Sequence, residues 1–164
     1  MSTLTLPHPR PLIRGAAPWR EVLLKHYTRL GAASRRLRFL GGVADSGLRR
    51  LAGETRPASV LGIELDGQVR GVLEIFPVSQ GAVEIGISVE DAYQGRGIGR
   101  RLFTAGLREA ERLGAAQAVF LFHTSNAGIH HLVSSAGARI TVEGDESRAR
   151  VDLSQAVQRH GLGG

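Results

Sequence analysis

From Trp19 to Leu30, apolar residues recur at three- and four-residue steps (Val22, Leu23, Tyr27, Leu30), which predicts a helix that Gly31 ends. A short helical segment follows at residues 34–40, and Leu48 and Leu51 predict another turn or two up to Thr55. The period then changes from helical to alternating. Residues 59–65 and 69–76 are β-rich runs joined by Asp66-Gly67, a strong two-residue hairpin signal. Residues 83–89 supply a third strand after a turn at Gln80-Gly81. Its alternation puts Val83, Ile85 and Ile87 on one face and Glu84, Gly86 and Ser88 on the other. Between residues 98 and 113, Phe103, Leu107, Ala110 and Leu113 form one face of an amphipathic helix. Beyond Gly114 come a buried strand at 118–122, a helix at 126–136 ended by Gly137, and strands at about 139–142 and 148–153. The pattern predicts an α+β fold with a mixed sheet. The whole chain, 1–164, is expected to form one domain, with 1–18 an extended, proline-rich arm and 154–164 a C-terminal tail.

Composition narrows the function classes. A hydrophobic share of 42% supports a real core, and with no cysteine there can be no disulfide, thiolate metal site or cysteine nucleophile. No apolar run approaches the roughly 20 residues of a membrane helix, and the N-terminus lacks a signal-peptide pattern; the expectation is a cytoplasmic protein with no membrane partner. The net charge of +6 is nearly all arginine, with Lys25 the single lysine, and it favours anionic partners. The arginines are dispersed and only 5% of residues are aromatic, which argues against nucleic acid. None of the six histidines has metal-ligand spacing, so no metal is expected.

Chemistry concentrates between the strand ending at Val89 and the helix beginning near Ile98. The stretch Tyr93-Gln-Gly-Arg-Gly-Ile-Gly-Arg-Arg101 holds three glycines and three arginines. Glycines let successive backbone N–H groups converge on an anion at the positive end of a helix, and Arg96, Arg100 and Arg101 can add charge-assisted contacts. A pyrophosphate fits that description. The dinucleotide fingerprint is absent, since Leu102 stands where its last glycine belongs, and no P-loop lysine follows.

The motif Gln94-x-x-Gly97-x-Gly99 resembles the coenzyme A signature of the GNAT (GCN5-related) N-acetyltransferases. The resemblance spans about residues 58–153, with residues 83–89 similar to the family's fourth strand and 124–137 similar to its later strand-to-helix segment. It implies an acetyl-CoA-dependent acetyltransferase of the GNAT fold acting on an amine. Pantetheine would be held at Ile87, Ser88 and Val89, and the pyrophosphate at Gln94, Gly95, Arg96, Gly97, Ile98, Gly99 and Arg100. Asn126 resembles the family's cofactor-contacting asparagine and is equally readable as a helix N-cap. Where many relatives carry Leu-Tyr, with the tyrosine protonating the departing thiolate, this chain has Leu132-Val133, leaving His130, His131, Ser134 or water as the proton donor, or departure of the thiolate unaided.

Residues 34–40, Ser-Arg-Arg-Leu-Arg-Phe-Leu, are similar over a short stretch to Pat-type bacterial protein lysine acetyltransferases. That resemblance implies a protein lysine as acceptor and Glu84 as general base; read by itself, Glu84 is a strand carboxylate, exposed or covered. His123, at a strand end, is the histidine candidate for a catalytic role, in substrate contact or proton transfer, or else a plain strand-end histidine. A small amine (amino acid, polyamine or antibiotic) as acceptor, a non-catalytic acyl-CoA sensor, and association as a homodimer stay open.

Overall fold

The computed structural model describes residues 5–12 and 19–159, with side chains through 156. Seven strands form one mixed sheet in the order β1-β2-β3-β4-β5-β7-β6. In chain order the elements are β1 (Arg10–Pro11), α1 (Trp19–Arg29), α2 (Ala32–Phe39), α3 (Asp45–Glu54), β2 (Ser59–Leu65), β3 (Gln68–Ser79) and β4 (Ala82–Val89). After a short 3-10 turn at Asp91–Tyr93 come α4 (Ile98–Arg112), β5 (Gln117–His123), α5 (Ala127–Ser135), β6 (Arg139–Glu143), β7 (Glu146–Asp152) and α6 (Leu153–Arg159). The expected helices and strands are all present, and the α+β mixed-sheet fold is as predicted.

Local chemistry accounts for the main turns. Asp66 and Gly67 both have positive φ, 52° and 74°, and join Leu65 to its partner Gln68 in a tight hairpin. β4 and β5 are parallel, connected through α4, whereas the other neighbouring strands are antiparallel.

The two faces of the sheet carry two cores. On one, Leu73, Ile75, Val83 and Ile85 pack with Leu102, Phe103 and Leu107 of α4 and with Phe120 and Val133. On the other, Leu23 and Tyr27 of α1, Leu30 just beyond it and Leu48 of α3 cover Val60 and Val72. The alternation expected in β4 is observed: Val83 and Ile85 enter the first core, while Ser88 meets His26 and Gly86 meets Arg38 on the second face.

Two terminal expectations need adjustment. Within the arm, Arg10–Pro11 adds a strand to the sheet edge, Arg10 pairing with Gly62 and Pro11 with Leu61, and Leu12 N–H donates to Val60 O at 2.8 Å. The rest of the arm, at 1–4 and 13–18, lies outside the described residues. The segment expected as a tail begins instead with α6, because Leu153 (1% exposed) and Ala156 (0%) join the core that covers α4; residues 160–164 lie outside the described residues.

Candidate functional site

β4 and β5 are paired only over Ala82–Glu84 and Gln117–Val119. Beyond that point β4 stays with β3 as far as Val89, paired to Gly71, and β5 stays with β7 as far as His123, paired to Glu146. The two strands therefore part in the middle of the sheet, and among the described residues 85–89 have no strand partner on their β5 side. Free backbone groups along a strand are ready to bond an extended ligand. Two adjoining cavities occupy the opening.

The larger, of about 700 Å³, is lined by Ile87, Ser88 and Val89, by the loop from Gln94 to Arg100, and by the start of α5. Gly95 and Gly97 hold φ at 74° and 86°, and Gly97 is the N-cap of the 15-residue α4 with no side chain capping it. These glycines line the cavity at the helix's positive end, where positive φ leaves the backbone open to close approach, an arrangement suited to an anion. Gln94 pins the loop, its Nε2 donating to Val89 O at 3.0 Å and to Ser34 Oγ at 3.1 Å. Ile98 is 1% exposed and anchors the loop to the core. Gly99 and Arg100 also line this cavity.

The other two loop arginines point to different work. Arg96 lies over the Tyr93 ring at 4.9 Å, a ring that Arg70 also approaches at 4.6 Å, and is not among the lining residues. Arg101 donates to Leu6 O at 2.6 Å, which ties α4 to the N-terminal arm.

The smaller cavity, of about 220 Å³, continues the larger one; Leu37, Arg38, Ile87, Asn126 and Ile129 line both. Glu84 opens into it between apolar walls that include Phe39, Ile85, Phe120 and Phe122. Asn126 caps α5, its Oδ1 accepting from Ile129 N–H at 3.2 Å, and stands at the junction of the cavities, so its two readings are compatible.

Behind this end lies a buried polar network. The Arg38 guanidinium donates to Glu74 Oε1 at 2.8 Å, Glu74 is 1% exposed, and the Tyr27 hydroxyl donates to the same oxygen. Burial alone would lower the pKa of Arg38, but the carboxylates of Glu74 and, more weakly, Glu84 outweigh it and hold the guanidinium charged. Burial and the Glu74 charge push the Tyr27 phenol well above its usual value. His26 Nε2 lies 2.9 Å from Ser88 Oγ, and burial together with nearby Arg29 lowers its pKa to about 3, so the ring is neutral.

His123 is placed elsewhere. Its Nδ1 accepts from Ser125 N–H at 3.1 Å, its Nε2 is 3.6 Å from Asp145, and it lines neither cavity. Val133 is fully buried in the core, whereas His131 and Leu132 line the larger cavity. Arg38, Glu74 and Tyr27 were not singled out by the sequence. The available signal was Gly86, a residue without a side chain on the covered face of β4: a Cβ built there would lie 2.4 Å from Arg38 Nη2. Among the described residues, no group of three or more His, Asp or Glu side chains could hold a metal, and no helix is long and apolar enough to cross a membrane.

Comparison with known proteins gives the geometry its family. Structures of similar fold include the GNAT domain of the S. lividans protein PAT, 18% identical with a TM-score of 0.66 over 88% of this chain and 89% of that one. The PaiA N-acetyltransferase of Thermoplasma acidophilum, solved in complex with coenzyme A, is 14% identical with a TM-score of 0.62, covering 81% and 92% of the two chains. The protein yncA of Salmonella typhimurium, solved with its cofactor acetyl-CoA, is 22% identical with a TM-score of 0.58, covering 82% and 86%. No match is found among curated proteins. The model of the acetyltransferase (GNAT) family matches residues 23–137, a stretch containing the parted strands, the glycine loop and both cavities, and the chain belongs to that family.

Proposed function

We propose that the protein transfers an acetyl group from acetyl-CoA to a primary amine, with Glu84 as the general base. The observation that carries this reading is the cleft between β4 and β5, with an anion-binding helix N-terminus at one end and a carboxylate between apolar walls at the other. The residues present fit coenzyme A. Arg100 and the positive-φ glycines suit a pyrophosphate, and the unpaired edge of residues 85–89 suits the amides of a pantetheine arm. When bound, the cofactor supplies the acetyl thioester.

The chain's own groups then do the rest. Backbone N–H groups near Val89 polarise the thioester carbonyl. An unperturbed lysine amine, with a pKa near 10.4, arrives mostly protonated, so Glu84 first takes a proton from the ammonium and frees the lone pair that bonds to the acetyl carbon; the nitrogen gives up a second proton to water as the amide forms. The carbon–sulfur bond breaks as the amide forms, and the thiolate takes up a proton. Val133 cannot donate one, which leaves water or His131, a lining residue, to do so.

A protein lysine and a small amine remain the two acceptor readings. Thiol release measured with acetyl-CoA and a panel of amines, including lysine peptides, tests the proposal. Saturable, amine-dependent release supports it. Tight acetyl-CoA binding with no transfer to any amine would instead favour a non-catalytic acyl-CoA sensor, the reading that Val133 keeps alive.

A further inference from the structure

We propose that the smaller cavity takes a primary amine on an apolar stem with no carboxylate beside the amine, and that the Glu74–Arg38 pair sets this rule. The inference rests on the acetyltransferase reading above and narrows its acceptor. A space of about 220 Å³ holds roughly seven water-sized groups, enough for a stem and one amine. Glu84 and Arg38 are the charged residues among those lining it.

The positive charge of Arg38 is already spoken for. Its Nη2 bonds Glu74 at 2.8 Å, Glu74 is 1% exposed, and Glu84 adds a second carboxylate to its surroundings. Two carboxylates against one guanidinium leave this end of the cleft one negative charge in excess. An ammonium gains from that balance. A carboxylate carried in beside the amine meets net repulsion and loses its water without gaining a free cation.

Geometry closes the remaining route. The guanidinium is seated on Gly86: a Cβ there would lie 2.4 Å from Nη2 and 3.0 Å from Nε, and Nε is buried with no hydrogen-bond partner. Arg38 lines the cavity from that seat, and drawing it toward a substrate carboxylate would take Nη2 from Glu74, leaving that buried carboxylate only the Tyr27 hydroxyl.

The test uses matched acceptors, pentylamine against norleucine and phenethylamine against phenylalanine. Thiol release gives kcat/KM, and calorimetry on the coenzyme A-bound protein gives Kd independently of turnover. The wild type should favour the carboxylate-free member of each pair by at least about tenfold, as expected for a charge brought against a like charge. Glu74→Gln frees the guanidinium and should shrink that ratio. The double variant Arg38→Met with Glu74→Gln restores the excess negative charge and should restore the ratio, with thermal unfolding confirming that each variant folds. Nα-acetyl-lysine N-methylamide tells the sources apart: a better rate than pentylamine points to a lysine in a polypeptide, a poorer one to a free amine, and either agrees with the rule. Equal or inverted ratios in the wild type would overturn the rule, and an unchanged ratio in Glu74→Gln would remove the pair's part in it. Ratios kept in binding but with no turnover would sink the acetyltransferase reading alone. Failure of every amine to bind or react would end both.

Discussion

The two ends of the cleft are built by different means. The end proposed for the cofactor comes mainly from one continuous stretch, the end of β4 through Ser88 and Val89, the glycine loop and the N-terminus of α4, and the groups proposed to work there are backbone groups around the positive-φ Gly95 and Gly97. The end proposed for the acceptor is assembled from Arg38 on α2, Glu74 on β3 and Glu84 on β4, charged side chains of which Glu74 is buried and the other two half-buried. Backbone recognition depends on little besides local conformation. Side-chain recognition here depends on a buried ion pair, so the acceptor end should be the more costly to disturb.

The largest effect expected is therefore on stability. Removing Arg38 leaves Glu74 (1% exposed) as an uncompensated buried charge, and Arg38→Ala should cost about 3–5 kcal/mol in urea unfolding. A cost below about 1 kcal/mol, typical of exposed pairs, would erase the contrast between the two ends.

At the cofactor end, Gly97→Asp should spare the fold's core and damage binding. It places a side chain and a negative charge on the N-cap of α4, where φ is 86°. Acetyl-CoA affinity measured by calorimetry should fall by about 100-fold or more, a few kcal/mol of like-charge repulsion, while acetylpantetheine, which lacks the pyrophosphate, should lose far less. Equal losses for the two compounds would place the pyrophosphate elsewhere.

A third, smaller effect separates the faces by pH. His26 is fully buried with its pKa lowered from 6.5 to about 3, so the folded protein binds fewer protons than the unfolded chain below pH 6.5. Its contribution is fully present above 6.5 and is lost progressively as pH falls toward 3. Between pH 7 and pH 5 the histidine alone should withdraw about 2 kcal/mol of unfolding free energy. His26→Gln, which does not titrate, should flatten that part of the pH dependence in denaturant titrations; an unchanged slope would mean that the ring charges in place.

What could be read from the sequence follows the same division. The hairpin at Asp66-Gly67, the helices around α4 and the glycine loop announce themselves through neighbouring residues, because positive φ, amphipathic period and helix ends are local properties. The face of β4 that carries Glu84 was also legible, since alternation assigns it. The partner of Arg38 was not: Glu74 lies 36 residues away, and only the sheet register, which sets Glu74 opposite Gly86, brings them together. The strand at Arg10–Pro11 is too short to show a period, and among its described side chains α6 buries Leu153 and Ala156, two residues that set no period, so neither end of the chain gave a pattern. His123 drew notice by its place at a strand end; its hydrogen bond from Ser125 and its approach to Asp145 depend on a turn and on the loop before β7, beyond what residue type reveals.

The account's central claim, acetyl transfer at a carboxylate-assisted site, is tested most directly by the pH–rate profile of Glu84→Gln under saturating acetyl-CoA with an acceptor that the wild type uses. Glutamine keeps the size of glutamate but cannot take the proton, so turnover at neutral pH should fall by roughly 10²–10⁴-fold with cofactor affinity nearly unchanged. Activity should recover in part as pH rises and more of the amine arrives neutral. Turnover above about a third of the wild type at neutral pH, far outside the range for loss of a base, would contradict the claim and leave Glu84 a structural carboxylate.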